Sequence, residues 1–224
     1  MSEPKGSAPK SMDDEGVADA GRRDILKAGA TMAIGAAMPA LMATANAQAQ
    51  PQTSNVGAKT LIIASHPYPD RSVVNKALWE VAQKANGAMF RNLESVYGDN
   101  PRGFDRAAER KLYEQMERLV FIFPIHWFNL TPMLKAYMNE VWGSGPPPEL
   151  SGKELFIVTT TAGPEDAYSP KGRLGFTIEE VLTPLRASAK YTGMTFAKPL
   201  CFFAASGNAS ALRGYQEALA ARLS

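Results

Sequence analysis

Residues 65–75 place a hydroxyl group and an amide where an apolar run gives way to a helical pattern. The first backbone N–H groups of a helix have no partner within it, and its dipole attracts negative charge, so such a turn can bind an anion. Ser72 and Asn75 together could hold a phosphate, or Ser72 could serve only as the helix cap. A Rossmann turn is disfavoured because the G-x-G-x-x-G pattern is missing. The turn reads His66-Pro67-Tyr68-Pro69-Asp70-Arg71-Ser72-Val73-Val74-Asn75.

Two adjacent aromatic side chains, Trp127 and Phe128, follow the third apolar run of the sequence. Large aromatic groups are costly to leave in water, and a planar, partly apolar ligand would cover them. A contact with a second copy of the chain would cover them as well. The segment reads Pro124-Ile125-His126-Trp127-Phe128-Asn129-Leu130-Thr131-Pro132.

A third loop, Thr160-Thr161-Ala162-Gly163, combines hydroxyl groups with small residues. Small residues let the backbone approach a ring closely, and hydroxyl and amide groups can reach the polar edge of that ring. Tyr168 lies five residues beyond Gly163. Its phenol could donate a hydrogen bond to an oxygen on which charge develops, or it could simply pack against the ring.

Strand-length apolar runs alternate with longer helical patterns, and they must position these loops. The predicted strands cover residues 60–64, 88–93, 119–123, 155–159 and 200–205. The predicted helices cover residues 73–84, 105–118, 132–142, 177–191 and 210–223. Ser72, Thr131, Thr177 and Asn208 are the predicted helix caps, and Pro184 is a predicted kink.

Strict alternation of strands and helices predicts an α/β fold with a parallel sheet covered by helices on both faces. Because crossovers are right-handed, few topologies remain, and the flavodoxin-like order 2-1-3-4-5 accommodates all five strands. In that fold the ligand lies beyond the carboxyl ends of the strands, where strand 1 neighbours strand 3. The three loops described above are the ones that meet there.

Taken together, the three loops resemble those of the NAD(P)H:quinone oxidoreductases. The shared motifs are H-P-Y-P-x-x-S-x-x-N-K, P-x-x-W-[FY]-x-x-x-P-x-L-K, here Pro124 to Lys135, and T-T-[GA]-G. The branch with the most similar motifs is that of the bacterial ancillary quinone reductases of potassium-efflux systems. The resemblance extends from about Thr60 to Leu223.

This resemblance implies a flavoprotein that takes electrons from NAD(P)H and passes two of them to a quinone in ping-pong fashion. It also implies a homodimer in which the partner chain completes the pocket, and Tyr168 as the catalytic tyrosine. FMN is typical of the nearest branch and FAD of others, and the short turn 143–148 favours FMN because it leaves little protein to cover an adenine. The implied flavin contacts are His66, Ser72, Val73, Val74, Asn75, Ile125, His126, Trp127, Phe128, Thr160, Thr161, Ala162 and Gly163.

Three positions depart from the family pattern. His126 stands where the family usually has Gln, and Ala162 replaces a Gly. Leu174 stands where the animal enzymes have the histidine that partners the tyrosine. The departures bear on the choice of substrate and on rate. Two other functions compete with that of an enzyme: a flavodoxin-like electron carrier with a donor other than a nicotinamide, and an exported scaffold without flavin.

The first 47 residues resemble a twin-arginine signal peptide. Gly21-Arg22-Arg23-Asp24-Ile25-Leu26-Lys27 precedes a weakly apolar stretch that ends in Ala45-Asn46-Ala47, a small-x-small cleavage pattern. We therefore expect a signal at 1–47, a Gln-rich linker at 48–58 and one flavin-binding domain at 59–224. The expected location is the periplasm, reached through the twin-arginine translocase, with the signal either cleaved or kept as an anchor.

The composition of residues 48–224 narrows the function classes further. This segment has 19 Lys and Arg residues and 16 Asp and Glu residues, which gives a net charge of +3. Its basic residues form no cluster along the sequence, so a nucleic-acid partner is not expected. A strongly acidic electron carrier is disfavoured by the net charge. Cys201 is the single cysteine and is interpreted as a buried small apolar residue. The two histidines, His66 and His126, form no cluster with metal-ligand spacing.

Overall fold

The computed structural model describes residues 59–224. The predicted signal peptide and linker, at 1–47 and 48–58, lie outside the described residues. Along the described part of the chain, no helix combines the length and apolar character needed to cross a membrane.

A parallel sheet forms the centre of the domain. Its strands are β1 Thr60–Ala64, β2 Ala88–Asn92, β3 Arg118–Pro124, β4 Glu154–Thr160, β5 Thr195–Phe196 and β6 Leu200–Phe202. The order is β2-β1-β3-β4-β5, and β6 also pairs with β4. This arrangement confirms the predicted flavodoxin-like topology.

The fifth position of the sheet is divided between two short strands. β5 pairs with the beginning of β4, and β6 pairs with its end. The predicted strand 200–205 was therefore too long at its end and missed β5. Pro199 lies between the two strands and has no backbone N–H for the ladder. The backbone of Ala204 has a φ of 44°, which is incompatible with a strand and ends β6 early.

Helices cover both faces of the sheet. They are α1 Val73–Lys84, α2 Leu93–Tyr97, α3 Arg106–Gln115, α4 Pro132–Tyr137, α5 Ile178–Val181, α6 Thr183–Tyr191 and α7 Ala209–Leu223. A π-helical turn, Met138–Trp142, continues α4 to the predicted end of that helix. The short α2 was not predicted; the side chain of Asn92 begins it by accepting a hydrogen bond from the amide of Ser95 (2.8 Å).

The predicted helix 177–191 is two helices, α5 and α6. Its capping box is confirmed, since Thr177 and Glu180 each accept a hydrogen bond from the other's backbone N–H. The helix breaks at Leu182, whose ψ is 6°. Pro184 explains the break because it offers no N–H to the carbonyl of Glu180 and restricts the residue before it.

The alternation of side chains along each strand gives the sheet one apolar core on each face. Leu61 and Phe121 belong to the core beneath α3 and α4, whereas Ile62 and Val120 belong to the core beneath α1 and α7. All four are fully or almost fully buried. Because these cores fix the helices on the sheet, the loops at the carboxyl ends of the strands have rigid supports.

A buried polar network ties α3 and α4 to β2. The carboxylate of Glu109, which is inaccessible to solvent, pairs with the guanidinium of Arg91 and accepts a hydrogen bond from the hydroxyl of Tyr137 (3.1 Å). The hydroxyl groups of Tyr113 and Tyr137 are 2.6 Å apart. A buried charge is tolerated only when it is paired and hydrogen-bonded, so these contacts fix the position of α4. The loop 125–131, which carries Trp127 and Phe128 and is called the aromatic loop below, leads directly into that helix.

Candidate functional site

The three predicted loops converge at one edge of the sheet. They meet because Ala64, Pro124 and Thr160 lie at the carboxyl ends of β1, β3 and β4, which are neighbours. Between the loops lies a cleft of about 370 Å³. Its walls are formed by His66, Arg71, Ser72, Val73, Val74, Asn75, Pro124, Ile125, His126, Thr160, Thr161, Ala162, Ala205 and Gly207. Every predicted flavin contact lines this cleft except Trp127, Phe128 and Gly163.

The beginning of α1 supplies the polar wall of the cleft. The hydroxyl of Ser72 accepts hydrogen bonds from the backbone amide of Asn75 (3.2 Å) and from its side-chain amide (3.1 Å). Ser72 is therefore the N-cap, as predicted, and it leaves the first amides of the helix, those of Val73 and Val74, for a ligand. These amides and the positive end of the dipole of this 12-residue helix suit an anion.

The side-chain carbonyl of Asn75 is buried without a hydrogen-bond partner in the described part of the chain. Only 3% of Asn75 is exposed, and the atom concerned is its Oδ1. A buried carbonyl without a partner costs free energy, about 1–3 kcal/mol in mutational measurements. Because this oxygen belongs to a residue that lines the cleft, a ligand that brings a hydrogen-bond donor would remove that cost.

His66 enters the cleft as a neutral imidazole. Its Nδ1 accepts a hydrogen bond from the backbone N–H of Tyr68 (2.9 Å), so the ring proton resides on Nε2. Burial, and to a smaller extent the charge of His126, lower the pKa of His66 from 6.5 to about 4. The side chain of His66 is thus a neutral donor at neutral pH.

A carboxylate beneath the cleft joins the first loop to the second. Glu94 accepts hydrogen bonds from the backbone N–H of His66 (3.0 Å) and from the hydroxyl of Ser65 (2.6 Å). Ser65 also forms a short hydrogen bond with Thr131, the N-cap of α4. Burial raises the pKa of Glu94, and the two hydrogen bonds oppose that effect. The loops that follow β1 and β3 are consequently held as one unit.

The aromatic loop contains a strained turn. His126 and Asn129 exchange backbone hydrogen bonds (3.1 and 3.3 Å), while Trp127 and Phe128 between them have φ values of 49° and 60°. This is the geometry of a type I′ turn, which normally takes Asn and Gly. Trp127 is 94% exposed and Phe128 47%. Backbone strain of this kind is often found at functional sites and persists only where the surrounding structure holds the residue in place.

Tyr168 lies behind the third loop rather than over the cleft. Its ring packs beside Gly163, where an added Cβ would come within 3.2 Å of it, and against the ring of Phe203 (5.4 Å between centroids). Burial raises the pKa of the Tyr168 hydroxyl, and the neighbouring side chain of Thr161 partly offsets this. Thr161 itself lines the cleft, so it links the phenol to the site.

Two further predictions concern Cys201 and metal ions. Burial, together with the carboxylates of Glu165 and Glu179, raises the pKa of the Cys201 thiol to about 12. The thiol therefore stays protonated at neutral pH. Cys201 is half-buried rather than fully buried as predicted. Within the described residues, no group of His, Cys, Asp and Glu side chains could hold a metal ion.

The sequence matches a known protein family over almost all of the described residues. The family model described as the flavodoxin-like fold matches residues 58–223. The chain belongs to this flavodoxin-like family. General stress protein 14 of Bacillus subtilis is 34% identical to it over 150 residues, which are 65% of this chain and 85% of the relative.

Two solved structures align with this chain over most of their length. General stress protein 14 of Treponema denticola, in complex with FMN, is 31% identical, with a TM-score of 0.67 over 74% of this chain and 97% of that one. An NADPH-quinone reductase of P. pentosaceus is 25% identical, with a TM-score of 0.66 over 74% of this chain and 98% of the other.

Some residues of the cleft in this flavodoxin-like domain were not predicted from the sequence. Arg71 lies in the turn before α1 and, among the described residues, is the only lysine or arginine that lines the cleft, and its positive charge was a usable signal for an anion site. Ala205 and Gly207 follow β6 and carry no chemical signal, and they line the cleft because β6 ends beside β4. At Gly207 an added Cβ would lie 3.3 Å from Val73, so the glycine allows the loop to approach α1 closely.

Proposed function

We propose that this protein is an FMN-dependent NAD(P)H:quinone oxidoreductase. The observation that carries the proposal is the cleft at the beginning of α1, where anion-binding amides lie beside the unsatisfied side-chain carbonyl of Asn75. A fully deprotonated anion such as sulfate would use the amides but offers no donor to Asn75. A ligand that carries both a phosphate and hydroxyl groups, as FMN does in its ribityl phosphate chain, would satisfy both.

The residues around the cleft fit FMN at each of its parts. Ser72 and the amides of Val73 and Val74 would hold the phosphate, and Asn75 would accept a hydrogen bond from the chain. The aromatic turn and the loop 160–163 would hold the ring. The complex of general stress protein 14 with FMN and the NADPH-quinone reductase support the choice of cofactor, donor and acceptor. A bound flavin supplies the two-electron chemistry, with the donor and the quinone reacting in turn.

The protein's own contribution is to orient the reactants and to stabilise charge. His66 stays neutral and can donate from Nε2. Thr161 lines the cleft, and its hydroxyl donates to the carbonyl of Gly163 (2.9 Å). In this proposal Tyr168 is the catalytic tyrosine. It acts from behind the third loop, and its phenol stabilises developing negative charge through Thr161, which lines the cleft. Leu174 supports the loop through its backbone N–H, which donates to the carbonyl of Ala167 (3.2 Å), and offers no side-chain partner to the phenol.

Titration of purified protein with FMN, FAD and riboflavin tests the proposal. Quenching of flavin fluorescence should show FMN binding, and riboflavin should bind at least about tenfold more weakly because it lacks the phosphate that the helix attracts. The FMN-loaded protein should then oxidise NAD(P)H in the presence of a quinone. A protein that quenches neither FMN nor FAD would overturn the assignment.

We also propose that the active form is a homodimer. Three exposed aromatic side chains lie on the loops that form the cleft, and a partner chain would cover them: Tyr68, Trp127 and Phe128. Exposed apolar surface of this kind often marks an interaction site. Light scattering should report about twice the mass of one chain, and a monomer with full activity would contradict the proposal.

Export through the twin-arginine route is the remaining part of the proposal. It is supported by Arg22, Arg23 and the small-x-small pattern at Ala45–Ala47, and by the advantage of folding around FMN before transport. We propose a periplasmic protein whose motifs resemble those of the ancillary quinone reductases of potassium-efflux systems. Replacing Arg22 and Arg23 by Lys should retain the precursor in the cytoplasm, whereas unchanged export would contradict the route.

A further inference from the structure

A second cavity adjoins the FMN cleft on the other side of the third loop. It measures about 860 Å³ and is largely open to solvent. We call it the 171–173 groove; its walls are formed by Ala162, Gly163, Pro164, Asp166, Ala167, Ser169, Lys171, Gly172 and Arg173. Ala162 lines both the groove and the cleft, so one extended ligand could occupy both.

Two cations without a partner line the groove. Lys171 and Arg173 are exposed, and neither forms an ion pair within residues 59–224. Asp166 is the single carboxylate among the lining residues, so the groove keeps an excess of positive charge. Arginine binds phosphate through a planar, two-pronged set of donors and lysine as a point charge, which makes this pair suitable for a phosphate group.

The backbone between these two cations is fixed. A Cβ at Gly172 would lie 2.2 Å from the carbonyl oxygen of Asp166 and 2.7 Å from that of Ala167, so only glycine fits there. The amide of Gly172 donates to the carbonyl of Ser169 (3.0 Å), and the amide of Leu174 donates to that of Ala167 (3.2 Å). The loop is therefore folded back on the turn 165–167, and both cations flank a locked residue at the groove.

We propose that the 171–173 groove binds a phosphate group of a nucleotide electron donor, while the donor's reacting ring reaches the cleft across Ala162. The inference rests on the proposed function. A quinone carries no phosphate, whereas a nicotinamide dinucleotide carries at least two, and its phosphorylated form carries a third. Because the groove offers two cations to one small region, it favours the donor with the additional phosphate, NADPH over NADH.

Calorimetric titration of the FMN-loaded protein with NADP⁺ and NAD⁺ tests this inference. The double variant Lys171→Gln, Arg173→Gln should weaken NADP⁺ binding by about tenfold or more and NAD⁺ binding less, because charge-assisted hydrogen bonds to phosphate are lost. The matched control is Arg102→Gln, Lys111→Gln, which removes the same charge from exposed positions away from both cavities. The control should bind NADP⁺ like the wild type.

A gain of affinity provides a second, independent measurement. Asp166→Asn removes the carboxylate from the groove and should tighten NADP⁺ binding by about threefold. The inference is overturned if the wild type prefers neither dinucleotide, or if the groove variant and the control lose the same affinity. FMN titration of the wild type and of each variant separates the two proposals. If the groove variant binds both FMN and NADP⁺ as the wild type does, only the groove inference is refuted. If the wild type does not bind FMN, the proposed function is refuted.

Discussion

The imidazole rings of His66 and His126 lie 5.8 Å apart and nearly perpendicular, on two loops separated by 60 residues of sequence. Both rings line the proposed FMN cleft. His66 is 7% exposed, and its Nδ1 is already used as an acceptor, so a proton there would break the hydrogen bond from Tyr68. The folded protein therefore resists protonation of His66, and a charge on His126 strengthens that resistance.

Stability should fall in acid because of this histidine. The pKa of His66 is about 4 in the folded protein and 6.5 when burial is lost, so between these values the unfolded chain binds a proton that the folded protein excludes. The contribution of His66 to the free energy of unfolding is complete above pH 6.5 and declines as the pH falls toward 4. Urea unfolding across this window should show a shallower decline in His66→Asn, whose Oδ1 can still accept from Tyr68. Parallel declines in the two proteins would show that His66 is not responsible.

Replacing Ser72 by Ala should weaken FMN binding as well as the fold. The loss of the N-cap costs about 1 kcal/mol of stability, and the loss of the hydroxyl from the phosphate turn should weaken FMN binding by about tenfold. Asp105→Ala is the matched control because Asp105 caps α3 in the same way, accepting from the amide of Ala108 (3.0 Å), away from the cleft. We expect the two variants to be destabilised equally on heating, and only the Ser72 variant to bind FMN more weakly. Equal FMN affinities would leave Ser72 with a capping role only.

Replacing Trp127 by Gly should stabilise the fold and impair the site. The left-handed conformation costs a residue with a Cβ about 1–2 kcal/mol, which exceeds the entropic cost of glycine, so a net gain of about 1 kcal/mol is expected. The indole is 94% exposed, and little packing is lost with it. FMN affinity should fall because the ring loses an aromatic contact. The control is Ala204→Gly, which relieves a similar φ of 44° outside the cleft lining and should stabilise the fold without weakening FMN binding. A Trp127 variant that binds FMN normally would contradict the role assigned to Trp127.

Replacing Tyr168 by Phe tests the catalytic assignment directly. The change keeps the ring beside Gly163 and Phe203 and removes only the hydroxyl group, so folding and FMN affinity should be unchanged. Hydrogen-bond donation of this kind contributes about 10²–10⁴-fold, and without a histidine partner at position 174 a loss of about 100-fold is expected. Stopped-flow absorbance should follow reduction and reoxidation separately. If both rates equal those of the wild type, Tyr168 has a packing role only.

Local residue patterns determined much of this fold. The apolar runs at 60–64 and 119–123 are strands because β-branched and aromatic side chains suit a sheet buried on both faces. Ser72, Thr131, Thr177 and Asn208 cap the helices they were predicted to begin. Capping depends on one side chain and the next few amides, so it can be read from adjacent residues. The order of elements then fixed the topology, because right-handed crossovers leave few alternatives.

Only the tertiary structure decided which residues share the cleft and how they are charged. Ala205 and Gly207 join it because β6 pairs with the end of β4, and the pKa of His66 is low because distant residues bury it. The strained turn at Trp127 and the position of Tyr168 behind Thr161 depend on contacts between loops far apart in sequence. Burial, electrostatic interaction and backbone strain depend on residues that are close in space but distant in sequence. A local sequence pattern therefore cannot predict them.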